Sequence, residues 1–151
     1  MFRALVLSLL CVTAQAQTAE QAAAADVATT GIGLALGAAE ANPIGLLTLP
    51  AKLAAIQHAE SLPTGEREYA LSVISSMWTG AAANNLCVIV AIATGGAFAP
   101  ACLIVGAAVG MQRWDAGADE RLFWAICADE KTRNPRLTCT YNNRSGDDPA
   151  S

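Results

Sequence analysis

Residues 69–112 read YALSVISSMWTGAAANNLCVIVAIATGGAFAPACLIVGAAVGMQ and contain no Asp, Glu, Lys or Arg over 44 consecutive positions. As one α-helix this stretch would be about 66 Å long, roughly twice the hydrocarbon thickness of a bilayer. A domain formed by 151 residues could hardly bury so long a segment on all sides. The stretch therefore predicts two membrane-spanning helices, separated at Gly95-Gly96.

The composition suits closely packed membrane helices. The chain is 54% hydrophobic but only 5% aromatic, so its apolar residues are mostly Ala, Leu, Ile and Val. Small residues let the backbones of neighbouring membrane helices approach. The net charge is −4 and there is no basic patch, which argues against nucleic acid as a partner. The expected partner is the lipid bilayer.

The N-terminus has the three parts of a secretory signal peptide. Arg3 is the positive region, residues 4–12 are a short apolar region, and Ala14-Gln15-Ala16 is a small-x-small cleavage site. We therefore predict a signal peptide over residues 1–16 and a mature start near Gln17. An uncleaved anchor is the alternative.

The mature chain has an apolar part followed by a polar tail. Four apolar segments, residues 22–41, 44–59, 69–93 and 100–111, predict an all-α transmembrane helical bundle of about four spans within residues 17–114. We expect Pro50 to kink the second helix and residues 61–68 to form a polar loop, with a turn at residues 63–65 and the next helix starting at residues 66–68. A soluble all-helical protein with a very hydrophobic core is the alternative fold.

Residues 115–151 form the polar tail. Residues 118–127 predict a short amphipathic helix, and residues 146–149, Gly-Asp-Asp-Pro, predict local disorder. In an exported tail, Cys127 and Cys139 would form a disulfide. The alternative is a cytosolic tail with two free thiols. It is favoured by the distribution of basic residues, since six of the eight mature Lys and Arg residues follow Gln112.

The first apolar segment carries a polar stripe. At 100° per residue, Thr30, Gly33, Gly37 and Glu40 all lie within about 40° of the line through Asp26. Charged residues within a membrane helix usually face the interior of a bundle or a wet cavity. Gly33 and Gly37 also form a Gly-x-x-x-Gly step, which favours helix packing.

A second polar site interrupts the third segment. Asn84 and Asn85 point about 100° apart, so at least one amide should face another helix and find a partner there. Lys52 is the only basic residue that could reach an acid inside the bundle. The predicted intramembrane polar cluster comprises Asp26, Thr30, Glu40, Asn42, Asn84 and Asn85.

Two short motifs resemble a known pattern. Residues 26–30, Asp-Val-Ala-Thr-Thr, and residues 40–43, Glu-Ala-Asn-Pro, are similar to the Asp-x-x-Thr-Thr and Glu-x-Asn-Pro motifs of small uncharacterised bacterial and phage membrane proteins. The resemblance covers roughly 18 residues. It implies a helical membrane bundle, and no activity, because that family has none established.

The residue patterns do not indicate an enzyme. There is no nucleophile–base pair, no phosphate-binding loop and no cluster of metal ligands, so we predict no catalytic residue, metal or cofactor. The predicted function is that of a small integral membrane protein with a structural or partner-binding role. It would lie in a bacterial inner membrane with its tail exported, where another membrane or envelope protein could bind it.

Three other interpretations remain open. A membrane-permeabilising, holin-like protein or small channel is suggested by the small size and the Gly/Ala-rich spans. A transporter component for an ion or small solute would use Asp26 and Glu40. The polar cluster could also serve only to hold the helices together by hydrogen bonds.

Overall fold

The structure is a computed structural model that describes residues 18–37, 48–95 and 101–141. The described residues form five α-helices and no β-strand, which confirms the all-α prediction. The helices are α1 (Ala19–Ala35), α2 (Thr48–Ser61), α3 (Thr64–Ala93), α4 (Cys102–Ala116) and α5 (Ala118–Arg133).

Local sequence signals set the ends of α1 and α3. Thr18 caps α1: its hydroxyl accepts from the backbone N–H of Gln21, whose side chain accepts from the backbone N–H of Thr18. Two residues after the C-termini of α1 and α3, Gly37 and Gly95 have φ angles of +82° and +99°, which glycine adopts without steric cost. Gly37 therefore lies outside α1. The predicted packing step from Gly33 to Gly37 is wrong, because the helix ends first.

The two prolines interpreted from sequence lie near the described starts of α2 and α3. Pro50 is the third described residue of α2. The predicted kink depends also on residues 44–47, which lie outside the described residues, and stays a prediction. Pro63 is the N-cap of α3, so Thr64 and Gly65, predicted to lie in a turn, are helical, and the prediction that residues 66–68 start a helix is confirmed. Glu66 lies in the first turn of α3, where its negative charge is next to the positive end of the helix dipole.

The longest helix, α3, is the centre of the bundle and contacts every other described helix. α1 is parallel to it: Ala19 and Ala23 belong to an apolar cluster with Ile74, and further along Asp26 meets Asn85. α2 runs antiparallel to α1, packing Ile56 against the same cluster.

α4 and α5 run antiparallel to α3 along its other side. Cys102 of α4 lies beside Cys87, and the ring of Trp114 contacts the edge of Tyr69, with 5.6 Å between ring centroids. After Gly117, α5 continues in the same direction, and Ala128 reaches Gly65 near the start of α3.

α4 and α5 are both longer than predicted. α4 extends beyond Met111 to Ala116, so the predicted boundary between residues 114 and 115 falls inside a helix. α5 runs to Arg133 rather than ending at Cys127. Residues 118–133 of the polar tail therefore pack on the bundle. The signal peptide and the predicted disordered residues 146–149 lie outside the described residues.

Charge is unevenly distributed along the bundle axis. The N-termini of α1 and α3 and the C-termini of α2 and α4 lie together, and we call this the polar end. Among the described residues from 18 to 116, the charged residues at the polar end are Glu20, Glu60, Glu66, Arg67, Glu68, Arg113 and Asp115. In the remainder of that region, the apolar end, Asp26 and Lys52 are the charged residues. Since these two form an ion pair, the apolar end has no net charge.

Within the described part of the chain, α3 alone is long and apolar enough to cross a membrane. α1, α2 and α4 have 17, 14 and 15 residues. A helix needs about 20 residues to span a bilayer. The described helices thus give an all-α bundle around one helix of membrane-spanning length.

Candidate functional site

A buried ion pair joins α1 to α2 at the apolar end. The Nζ of Lys52 donates a hydrogen bond to Oδ2 of Asp26, and the two side chains are 11% and 7% exposed. The sequence places them face to face because both lie on the helix sides that meet: Asp26 follows the buried residues Ala22 and Ala25, and Lys52 precedes the buried Ile56 by one turn.

The amide of Asn85 brings α3 into the same cluster. Its Nδ2 donates to Oδ1 of Asp26 at 2.9 Å and to Oγ1 of Thr30 at 3.0 Å. The hydroxyl of Thr30 in turn donates to the carbonyl oxygen of Asp26 at 2.8 Å. Thr29, one of the most deeply buried side chains, donates to the carbonyl oxygen of Ala25 at 2.9 Å. Three helices therefore contribute polar groups to one network.

The network satisfies both carboxylate oxygens of Asp26. One accepts from a cation and the other from an amide, and both donors come from the protein itself. A buried carboxylate without such partners would cost several kcal/mol. The arrangement therefore holds α1, α2 and α3 in one mutual position, with each carboxylate oxygen of Asp26 accepting a hydrogen bond from another helix.

The structure brings together half of the predicted polar cluster. Asp26, Thr30 and Asn85 meet, and Lys52 joins them. Asn84 does not, because its position about 100° away on α3 directs it to α4 instead. Glu40 and Asn42 lie outside the described residues, so their place in the cluster stays a prediction.

A close helix crossing on the opposite side of α3 was not found from the sequence. Gly80 of α3 meets Gly106 and Gly110 of α4; a Cβ added at Gly106 would lie 2.7 Å from the carbonyl oxygen of Gly80 and 2.8 Å from Cβ of Asn84. Gly106 and Gly110 form a Gly-x-x-x-Gly step, which is the signal that could have revealed the crossing.

Two cysteine pairs lie at disulfide distance among the described residues. Cys87 and Cys102, whose Cα atoms are 5.3 Å apart, connect the C-terminal part of α3 to the start of α4. No disulfide partner was predicted from the sequence for either cysteine. Cys127 and Cys139, the pair proposed from sequence, have Cα atoms 6.3 Å apart and connect α5 to the residues that follow it.

The described residues contain no group of three or more His, Cys, Asp or Glu side chains that could hold a metal ion. Comparison of the chain with protein-family models, with curated protein sequences and with solved structures gives no match.

Proposed function

We propose that this chain is a small integral membrane protein with a structural or partner-binding role. The observation that carries the proposal is the segregation of charge among the described residues from 18 to 116: Asp26 and Lys52 neutralise each other at the apolar end, and the other charged residues of these ranges are gathered at the polar end. Such an axial division matches the change from hydrocarbon to water across a membrane interface. The resemblance to small membrane proteins agrees with it.

Exposed apolar side chains on α3 and α4 supply a surface for lipid. Met77, Leu103, Ile104 and Met111 are 67%, 71%, 73% and 65% exposed, and all of them except Ile104 line one groove between α3 and α4. Single exposed apolar residues are ordinary, but a contiguous group indicates contact with a membrane or a protein. Together with the membrane-spanning length of α3, this group favours insertion of the apolar end into the bilayer.

In the fuller form of the proposal, four spans cross the membrane and the polar end faces the exported side. A cleaved signal peptide would leave the mature N-terminus on that side, which is the side of α5 as well. The Cys127–Cys139 pair, which lies on the side of the polar end, supports the same orientation, since disulfides persist in oxidising compartments. α5 and the residues after it would then be available to an envelope protein.

The closed polar network supports a structural role for the cluster. A transported ion or proton requires a group that can exchange its partner, whereas each oxygen of Asp26 is already engaged by another helix. The network would determine which helices pack against one another, a role that buried polar groups have in some other proteins.

We expect Leu103→Glu to prevent stable membrane insertion of the full chain. The side chain is exposed in the bundle, so the substitution leaves internal packing intact, but a carboxylate facing hydrocarbon costs about 2.5–3.5 kcal/mol. Carbonate extraction of membranes should release much more of this variant than of the wild type.

Leu122→Glu is the matched control for that experiment. Leu122 is 61% exposed but lies on α5, which packs along the polar end. It should stay in the membrane fraction like the wild type. Equal extraction of the wild type and both variants would contradict insertion through the apolar end.

Thiol labelling tests the orientation of the polar end. We expect a membrane-impermeant maleimide, applied to intact cells from the exported side, to label the protein only after treatment with a reductant. The labelling should be lost when Cys127 and Cys139 are both replaced by Ser, while Cys87 and Cys102 remain. Labelling that requires cell lysis would instead assign the tail to the cytoplasm.

A further inference from the structure

A cavity that is separate from the Asp26 network lies at the polar end of the bundle. It has a volume of about 280 Å³ and is enclosed by the N-terminus of α1, the first half of α3 and the junction between α4 and α5. Small-molecule sites begin at about this size. Its walls are polar: they include two arginines, Arg113 and Arg121, and three glutamates, Glu20, Glu68 and Glu120.

Two buried polar groups on its wall have no hydrogen-bond partner among the described residues. Ser75 is 3% exposed and its hydroxyl is unpaired, although Ser76 and Thr79 on the same helix both donate to the carbonyl four residues earlier. The indole Nε1–H of Trp124 is the second. An indole can only donate, so it requires an acceptor. Unmet buried groups of this kind are costly and call for an explanation.

The cationic side of the cavity is held in place before any ligand arrives. The guanidinium of Arg121 lies 3.5 Å from the ring centroid of Trp114 and donates to the hydroxyl of Ser72 at 3.2 Å. The N-terminus of α1, with its partial positive charge, opens at the same cavity through Thr18 and Ala19. These groups, with the indole N–H, favour a negatively charged acceptor.

The carboxylates disfavour a simple anion. Glu20 and Glu120 line the same small volume, together with Glu68, which pairs with Arg67 at 2.8 Å, and they would weaken the binding of a ligand that carried only negative charge. A simple cation would in turn meet the two guanidinium groups and the end of α1. A molecule that carries both charges, a few bonds apart, satisfies both sides.

We propose that this cavity binds a small zwitterion that carries a phosphate or carboxylate group and an ammonium group. The anionic group would accept from Trp124 and Arg121 and reach the hydroxyl of Ser75, and the ammonium would face the glutamates. The inference rests on the proposed function for the source of the ligand, since a polar end at the membrane surface would lie beside phosphoethanolamine headgroups. The same chemistry occurs in free zwitterions.

Isothermal titration of the full chain in non-ionic detergent tests the binding itself. O-phosphoethanolamine carries both charges, whereas inorganic phosphate and ethanolamine each carry one. We expect O-phosphoethanolamine to bind at least tenfold more tightly than either. Equal affinity for the three probes, or binding of none, would overturn the proposal.

Paired variants identify the cavity as the site. Trp124→Phe removes the indole donor and keeps an aromatic ring, and should weaken binding about tenfold; Ser75→Ala should weaken it several-fold. Trp78→Phe and Ser76→Ala change the same residue types on α3 outside the cavity, and should leave affinity unchanged. Circular dichroism confirms that each variant is folded. Equal affinity in Trp124→Phe and Trp78→Phe would refute the assignment.

A competition experiment distinguishes the two sources of the ligand. Displacement of O-phosphoethanolamine by dihexanoyl phosphatidylethanolamine, but not by dihexanoyl phosphatidylglycerol, would assign the cavity to a lipid headgroup. Failure of both lipids to displace the probe would assign it to a free zwitterion. These titrations need no bilayer, so loss of binding and failure of membrane insertion in the Leu103→Glu experiment are separate results.

Discussion

Replacing Lys52 with Met is expected to lower the free energy of unfolding by about 3–5 kcal/mol. The substitution keeps the length of the side chain but removes the cation that faces Asp26. The carboxylate is 7% exposed, so water cannot replace the lost partner. Asn85 still donates to one oxygen, and the other is left buried and unpaired. Denaturant unfolding of the full chain in detergent, followed by circular dichroism, measures the loss.

A double variant distinguishes the net contribution of the ion pair to stability from the destabilisation caused by leaving Asp26 buried without its cation. Lys52→Met combined with Asp26→Leu removes both charges, and replacing a buried ion pair by apolar residues is often neutral. We expect the double variant to be more stable than Lys52→Met alone. If the double variant is as unstable as the sum of the two single variants, the two side chains do not interact.

An exposed ion pair provides the control. Arg133 pairs with Asp129 on the surface of α5, where the two side chains are 65% and 61% exposed. Arg133→Met should change the stability by less than about 1 kcal/mol, because solvent screens such a pair. A loss as large as that of Lys52→Met would show that burial does not decide the effect.

The polar network shows what helical periodicity can predict. Asp26 and Thr30 are four residues apart, so one face of α1 carries both, and the adjacent Asn84 and Asn85 diverge enough that one amide could reach that face. The periodicity does not say which amide it is. That depends on how α3 is rotated between α1 and α4, which the packing of all the helices decides together.

The ends of the helices were harder to predict, because the same residue type has opposite effects at different positions. Pro50 would bend a helix that began at residue 44 but is tolerated in the first turn of a helix, and the residues that decide between the two precede the described part of α2. The charged residues at 66–68 were correctly predicted to begin a helix, but Thr64 and Gly65 were assigned to the preceding turn, whereas α3 already begins at Thr64. The Cys87–Cys102 pair depends on the crossing of α3 and α4, which was itself missed.

That crossing predicts a second large effect: Gly106→Leu should destabilise the bundle by at least about 3 kcal/mol. The new Cβ would lie 2.7 Å from the carbonyl oxygen of Gly80, and backbone cannot move aside as a flexible side chain can. α4 would have to separate from α3 and give up the contacts of its whole length. Thermal unfolding in detergent, followed by circular dichroism, measures the loss.

Gly31→Leu is the matched control, because a Cβ added at Gly31 meets nothing within 4 Å. Replacing glycine at an exposed helical position by a better helix former should raise stability slightly, by up to about 1 kcal/mol. The two substitutions add the same side chain to a helix, so their opposite signs would isolate the effect of the crossing. Equal stability of the two variants would mean that α3 and α4 do not require the close approach, and the role of Gly80 and Gly106 would then have to be abandoned.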